Sequence, residues 1–562
     1  MLPLDFTQIA APIGNLGWSA LIAAVPLILL FVLLGVFKAP AWISSVATVI
    51  LCVVLSIFAW NMPFGMSMSA MGLGLFFGLC QIMWLLVAAL WVYNLTVKLG
   101  WDKVLRDLLQ GITNDQRVLA LIVAFAFGCL IEGLAGFGTP VAITTAMLVS
   151  AGVPKLKAAA ACMLGDTAPV AFGSIGAPLT ALGNSATGLI GPNGATYDPS
   201  FLASLYGKMA GHQSPIMAII VALCIVALMG GWKGLKDCWH VALICGVSFA
   251  IAQFVASQWI GYMITDIIAA GFCLLVTIPC VRVIKTKNPM VAEAVVAEDD
   301  SLPAYSSKGA ARVWGALAPY AIIIAIFALS QVPPIKAVVS TKVTAIFTWP
   351  GLDGCFNATG KAACVSPSVN LYSIVSSGCY LAIAALITTA VYKLNIGKSF
   401  GVLGTTIKNL RYTIITIAAV LSIAYVMNGS GMTLTLGTAL AATGAAFAFL
   451  SPVLGWLGVM LTGSDTSANA LFGGMQVTAA NAVWPGSTAH GVLMAASNST
   501  GGVLGKMISP QSLSVAAAAG GMTNKEGDIF RKVLPWSLAL VIVLGLIVVL
   551  QSTVFIGTVP MP

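Results

Sequence analysis

Long apolar runs separated by short polar connections dominate the chain. No charged residue occurs between Lys38 and Lys98, between Arg411 and Asp465, or after Lys532. Each gap holds apolar runs of about 20 residues or more, the length that crosses a bilayer as a helix. The runs of Leu, Ile, Val and Ala are continuous and lack period-two alternation, so they predict helices and not barrel strands. Spans are expected at about 16–37, 41–60, 71–97, 213–230, 240–258, 262–281, 313–332, 371–391 and 533–555.

Three further regions, 118–183, 412–475 and 489–520, are apolar but interrupted by Gly, Ser, Thr, Asn and Pro. Within hydrocarbon such backbone is tolerated only where it is buried in protein or lines a cavity, so function is sought there. The expected fold class is an all-α polytopic membrane protein with re-entrant or interrupted helices in two related halves. The first half covers 1–281, a polar linker expected on the cytoplasmic side covers 282–312, and the second half covers 313–562. Tyr93 leads into Lys98, Lys103 and Arg106, an apolar run and a break at Glu132-Gly-Leu-Ala-Gly. Tyr392 leads into Lys393, Lys398 and Lys408, an apolar run and a break at Asn428-Gly-Ser-Gly. A second break follows each roughly 35 residues on, at Gly165-Asp-Thr-Ala-Pro and Gly463-Ser-Asp-Thr-Ser, the spacing an internal repeat gives.

Composition agrees with the pattern: 59% of the 562 residues are hydrophobic and 8% are charged, far from soluble usage. The formal charge of +9 does not indicate nucleic acid, because Lys and Arg are scattered singly through the connections. Basic residues in 98–117, 155–157, 233–236, 282–312, 393–411 and 525–532 place these segments on the cytoplasmic side. An inverted repeat instead requires 98–117 and 393–411 on opposite faces, and the sequence leaves both readings open. The first apolar run lacks a basic n-region and is read as a retained helix. Most of the 12 cysteines lie in apolar runs and no CxxC pair suggests a metal site. Cys355 and Cys364 flank a polar loop, where a disulfide is expected if the segment faces an oxidising compartment.

Glu132 heads the first candidate motif, Glu132-Gly-Leu-Ala-Gly-Phe-Gly-Thr-Pro, as the only charged residue in 118–154. Gly133, Gly136 and Gly138 let the chain turn around Phe137, and a helix starting at Thr139-Pro140 would aim N–H groups at an anion. The alternative is a glycine packing face with Glu132 neutral and hydrogen-bonded. Asp166 and Thr167 sit at one break, and Ser464, Asp465, Thr466, Ser467 and Asn469 at its counterpart. Unwound carbonyls there can hold a cation while hydroxyls and N–H groups hold a carboxylate, unless these residues are only caps. Ser497, Asn498, Thr500 and Lys506 form the third set. Lys506, the only charged residue between Asp465 and Lys525, needs an anionic partner: a substrate carboxylate, Asp465 or Glu132. Gly501 to Met507 is not a P-loop, since the glycine spacing is one short and Met507 replaces Ser or Thr. His212, His240 and His490 are isolated and read as interfacial hydrogen-bonders. Asp266 lies near a span end, within reach of water, and is left out of the site.

The stretches EGLAGFGTPVAI at 132–143, DTAPVAFGSIG at 166–176, GSDTSANALFG at 463–473 and GGVLGKMISPQS at 501–512 resemble the bacterial L-lactate permease family over nearly the whole chain. The resemblance implies uptake of L-lactate, with D-lactate and glycolate, by proton symport at the bacterial inner membrane. No cofactor and no metal is expected. The resemblance also implies kinship with the ion-transporter superfamily and its elevator-type motion, and a homodimer is an expectation of the same kind. Substrate contacts are then expected from Gly136, Phe137, Gly138, Thr139, Thr167, Ser464, Thr466, Ser467, Asn469, Ser497, Asn498, Thr500 and Lys506. Proton coupling is expected from Glu132, Asp465 and Asp166, and since relatives can carry Asn at the position of Asp166, the first two are favoured. The rivals are a sodium-coupled carboxylate or dicarboxylate carrier and a membrane-embedded enzyme; the latter lacks GxSxG, HExxH or paired histidines.

Overall fold

The computed structural model describes residues 5–37, 39–101, 104, 112–134, 136, 138–189, 197–284, 286–291, 310–330, 338, 345–352, 354–356, 368–522 and 525–562. Most of the linker, Phe137 and Cys364 lie outside them. After strand β1 (Phe6–Thr7) come α1 (Leu16–Phe31), α2 (Ala41–Phe58), α3 (Phe64–Lys98) and α4 (Gln116–Leu134). Short helices α5 (Thr139–Ser150) and α6 (Lys155–Gly165) lead to the broken α7 (Gly173–Ser185), then α8 (Pro199–Val255) and α9 (Thr265–Val283). Beyond the linker are α10 (Ala310–Ser330), β2 (Ile346–Thr348), β3 (Cys355–Phe356), β4 (Ser368–Asn370), α11 (Leu371–Val391) and α12 (Ile396–Ser430). The chain ends with α13 (Met432–Leu440), α14 (Phe447–Thr462), α15 (Asp465–Val483), α16 (Thr488–Lys506), α17 (Pro510–Ala519) and α18 (Glu526–Ser552).

Seven helices among the described residues are long and apolar enough to cross a membrane, and α6 with α7 forms a further bent pair at 59°. The expected spans 213–230 and 240–258 are two arms of α8, which breaks at Gly231, a residue with φ +64°. Side-chain oxygens start several helices by taking orphan N–H groups: Asn15 for α1, Asp115 for α4, Asp198 for α8, Asn395 for α12 and Ser464 for α15. Small parallel β1–β3 and antiparallel β2–β4 pairs lie at the connections.

Burial divides the helices by role. The apolar window of α4 is wholly buried, while outer helices present Trp18, Phe58, Leu275 and Trp314 outward, as lipid-facing helices do. α14 and α16 pack closely along much of their length. Gly455, Gly501 and Gly505 make it possible, because β-carbons there would collide with the carbonyls of Asn498, Pro452 and Trp456.

Two sequence expectations change. The interruption expected within 489–520 falls at 507–509, and Ala496 to Gly505 lie inside α16. Glycine serves helix contact there, not a break. The topology conflict is resolved by Trp101, which stacks on Tyr392 with ring centroids 5.6 Å apart and planes at 15°. Trp91 also donates to the Ser399 carbonyl at 3.0 Å. The segments beginning at 98 and 393 therefore share a face, as the basic residues indicate, and the inverted relation does not hold for them.

Candidate functional site

Lys506 ends α16 deep in the protein. Its Nζ donates to Glu132 Oε1 at 2.8 Å and lies 3.0 Å from Asp166 Oδ2. All three side chains are buried. The sequence offered Glu132 or Asp465 as protein partners for Lys506; the structure selects Glu132 and adds Asp166. Glycines admit the carboxylate: a β-carbon on Gly173 would sit 2.7 Å from Glu132 Oε1 and one on Gly136 would be 3.4 Å away. Gly136 (φ +54°) and Gly138 (φ +82°) make the turn between α4 and α5. Ser174, Ile175 and Gly176 are all left-handed, with φ +47°, +54° and +74°. Two of these are not glycine, and Ile is β-branched, so the break costs backbone strain of about 1–3 kcal/mol per such residue.

A second, neutral cluster surrounds Asp465. Ser499 Oγ donates to Asp465 Oδ2 at 2.6 Å and Asn469 Nδ2 donates to the same oxygen at 3.2 Å. Asn498 Nδ2 donates to Asn469 Oδ1 at 2.9 Å, and Gln476 Nε2 to Asn498 Oδ1 at 3.0 Å. Ser499 and Lys506 lie two turns apart on one side of α16, which brings the clusters together along one helix. Among the described residues, Glu132 Oε2, Asp166 Oδ1 and Asp465 Oδ1 accept no hydrogen bond. Each acid therefore keeps one uncommitted oxygen.

Other expected residues are placed differently. Ser497 accepts from Gln213 Nε2 at 3.1 Å and Thr500 Oγ1 donates to Gln213 Oε1 at 2.6 Å, so both face α8 and not the acids. Thr167 Oγ1 donates to the Leu164 carbonyl and Ser464 caps α15 by accepting from the Ser467 amide. Thr466 is buried at the start of α15, and Thr139 begins α5, half-buried. Ser499, Gln476 and Gln213 were missed, since nothing in a Ser/Asn/Gly-rich stretch tells which side chains face inward until its helical phase is known. His490 is bland as expected, pairing with Ser487 and the Ser552 carbonyl and stacked on Trp484. Asp266 is a correction: it is 1% exposed and does not lie at an open surface. In the connection before it Tyr262 and Ile264 are buried, while Gly261 and Met263 are half-buried. An apolar recess of about 620 Å³ opens between α8 and α18 beside Pro215, Phe254, Leu550 and Phe555. None of the acids or Lys506 lines it.

The L-lactate permease family profile matches residues 19–555. The chain is 39% identical to the glycolate permease GlcA of Escherichia coli (strain K12), with 99% of each chain covered. It is 37% identical to the L-lactate permease of the same organism over 98% of each. With the L-lactate permease of Bacillus subtilis (strain 168) it shares 35%, covering 99% of this chain and 100% of that one. The solved YdaH transporter of Alcanivorax borkumensis aligns over 87% of this chain and 88% of its own, at 16% identity and a TM-score of 0.43, too distant to argue from. With its apolar helices and buried, glycine-lined acid–lysine centre, this multi-pass membrane protein belongs to the L-lactate permease family.

Proposed function

We propose that the protein imports L-lactate, and with it D-lactate and glycolate, together with a proton across the bacterial inner membrane. The observation that carries this reading is Lys506 held between Glu132 and Asp166 at 2.8 and 3.0 Å. One cation against two carboxylates leaves an excess negative charge, which is costly in a low-dielectric interior. A proton on this pair balances the charge and frees one arm of Lys506. A monocarboxylate then takes that arm. Proton and anion enter as a neutral sum, so binding of each favours the other.

The neutral donors and acceptors of Ser499, Asn469, Asn498 and Gln476 continue along α16 and suit the 2-hydroxyl group of the same substrates. This assigns the proton to the Glu132–Asp166 pair before Asp465, whose bonds are to hydroxyl and amide groups. The turn at Gly136, Gly138 and Thr139 closes the carboxylate end. Glycine breaks recur in both halves, at Gly136 and Gly138 and at Gly431 and Gly463, which supports two related halves.

Purified protein in proteoliposomes tests the reading. Uptake of labelled lactate should follow an imposed inward proton gradient without sodium. Uptake that ignores the pH gradient and requires sodium would replace the proton with a sodium ion as the coupling partner.

A further inference from the structure

Asp266, on the first turn of α9, takes part in neither cluster of the proposed site. Gln253 Nε2 donates to its Oδ1 at 3.1 Å and also to the Ala168 carbonyl at 3.3 Å, two residues beyond Asp166. Among the described residues its Oδ2 accepts no hydrogen bond and no basic side chain pairs with it. The titratable groups that interact with it are Glu132 and Cys129 of α4. Neither of them is a cation. With no cation beside it among the described residues, burial favours the protonated form of Asp266 at rest.

Its position relates it to the lysine centre. A β-carbon on Gly133 would lie 3.2 Å from Asp266 Cβ and 3.3 Å from the Ile267 amide nitrogen, so α9 touches the α4 backbone at the residue following Glu132. At the other end of α4, Arg117 Nη2 donates to the carbonyls of Lys287 and Asn288, just past α9, at 2.9 and 3.0 Å. The two helices are thus antiparallel, and Asp266 shares the end of the pair where Glu132 lies. That end is away from the basic face and beneath the Gly261–Ile264 connection.

We propose that Asp266 is a proton-relay residue on the outer side of the Lys506 centre, taking protons from the face of the Gly261–Ile264 connection and delivering them to Glu132. The inference rests on the symport reading above. In each transfer an O–H bond at Asp266 breaks and one at Glu132 forms, leaving Asp266 an anion until it is reprotonated from outside. Oδ2 of Asp266 and Oε2 of Glu132 are the oxygens free of hydrogen bonds, so the transfer disturbs neither the Gln253 contact nor the Lys506 pair.

The test compares wild type, Asp266→Asn and Asp266→Glu in proteoliposomes, by lactate exchange at equal pH and by uptake driven by a pH gradient. Asp266→Asn should keep exchange while gradient-driven uptake falls about a hundredfold. Asp266→Glu should recover uptake with a displaced pH profile. Wild-type gradient-driven uptake by Asp266→Asn would overturn the relay, as would equal loss of exchange and uptake in both variants. Should Asp266→Asn not reach the bilayer, Asp266→Glu decides: an unchanged pH profile overturns the relay, and a shifted one supports it. Wild type that ignores the pH gradient would sink the symport reading itself, a result visible without either variant.

Discussion

Gly502 and Asp465 are in direct contact across the α15–α16 interface, and a β-carbon on Gly502 would collide with Asp465 Oδ1 and stand 2.7 Å from Val459 Cγ2. Lys506 follows one turn later on the same helix. The absence of a side chain at Gly502 therefore sets the separation between the neutral cluster and the lysine centre.

Gly502→Ala should fold, because the colliding atom ends a side chain, but it displaces the Asp465 carboxylate and its Ser499 partner. Displacement of a binding group by about 1 Å can cost up to a hundredfold, so we expect lactate uptake to fall at least about tenfold. Uptake kinetics on monodisperse protein check this, and wild-type kinetics would show that Asp465 does not need its observed position.

Asp166→Asn leaves Lys506 with one ionised carboxylate, a pair that is neutral without a proton. Uptake by this variant should respond weakly to the pH gradient while exchange persists. Lys506→Met, in contrast, strands two acids and should destabilise the protein by about 3–5 kcal/mol. Melting temperature in detergent, read beside the flux ratio across a pH series, separates the two outcomes.

Asp115 predicts a pH dependence outside the membrane-spanning segments. Burial pushes its carboxyl up, but the Arg117 side chain, the Thr286 hydroxyl and the Arg117 amide together hold it below the usual carboxylate range. The Arg117 contacts are bidentate, at 3.0 and 2.8 Å. A depressed folded-state value means that the stabilisation is present above the unfolded carboxyl value of about 4 and is lost as pH falls through the folded one. Asp115→Asn should therefore melt lower at neutral pH, by about 3–5 kcal/mol for a broken buried pair, and the deficit should shrink in strong acid. A deficit that stays constant down to strong acid would show that the carboxylate charge is not what holds this contact.

Trp101 and Tyr392 predict sidedness. Single cysteines introduced at Lys98 and Lys393 should both react with an impermeant thiol reagent from the same side of sealed vesicles. Labelling from opposite sides would contradict the stacking of these rings.

Much of this architecture is legible in charge-free runs, because a span needs only length and apolarity. The site is less so. Lys506 and Glu132 stand out as lone charges in apolar sequence, but their pairing depends on Gly136 and Gly173, which are 37 residues apart and reveal a shared cradle only once folded. Ala496 to Gly505 reads as a break because Gly and Ser disfavour helix, whereas packing against α14 overrides that propensity. Asp266 departs from expectation because nearness to a helix end along the chain says nothing of depth when Tyr262 and Ile264 of the adjoining connection fold inward as well.

The broken helix α7 and the continuous helix α15 satisfy one another's polar groups. Ser185 Oγ donates to the Asn469 carbonyl at 2.6 Å, and Asn469 Nδ2 donates to the Pro178 carbonyl at 3.1 Å. From α12, Asn428 Nδ2 reaches the Ser185 carbonyl at 2.9 Å. Sliding either helix alone would strand these buried groups, at about 1–3 kcal/mol for each one left unpaired. The two helices are therefore coupled as a single body, and under the proposed transport cycle any boundary across which the protein shears has to lie outside them.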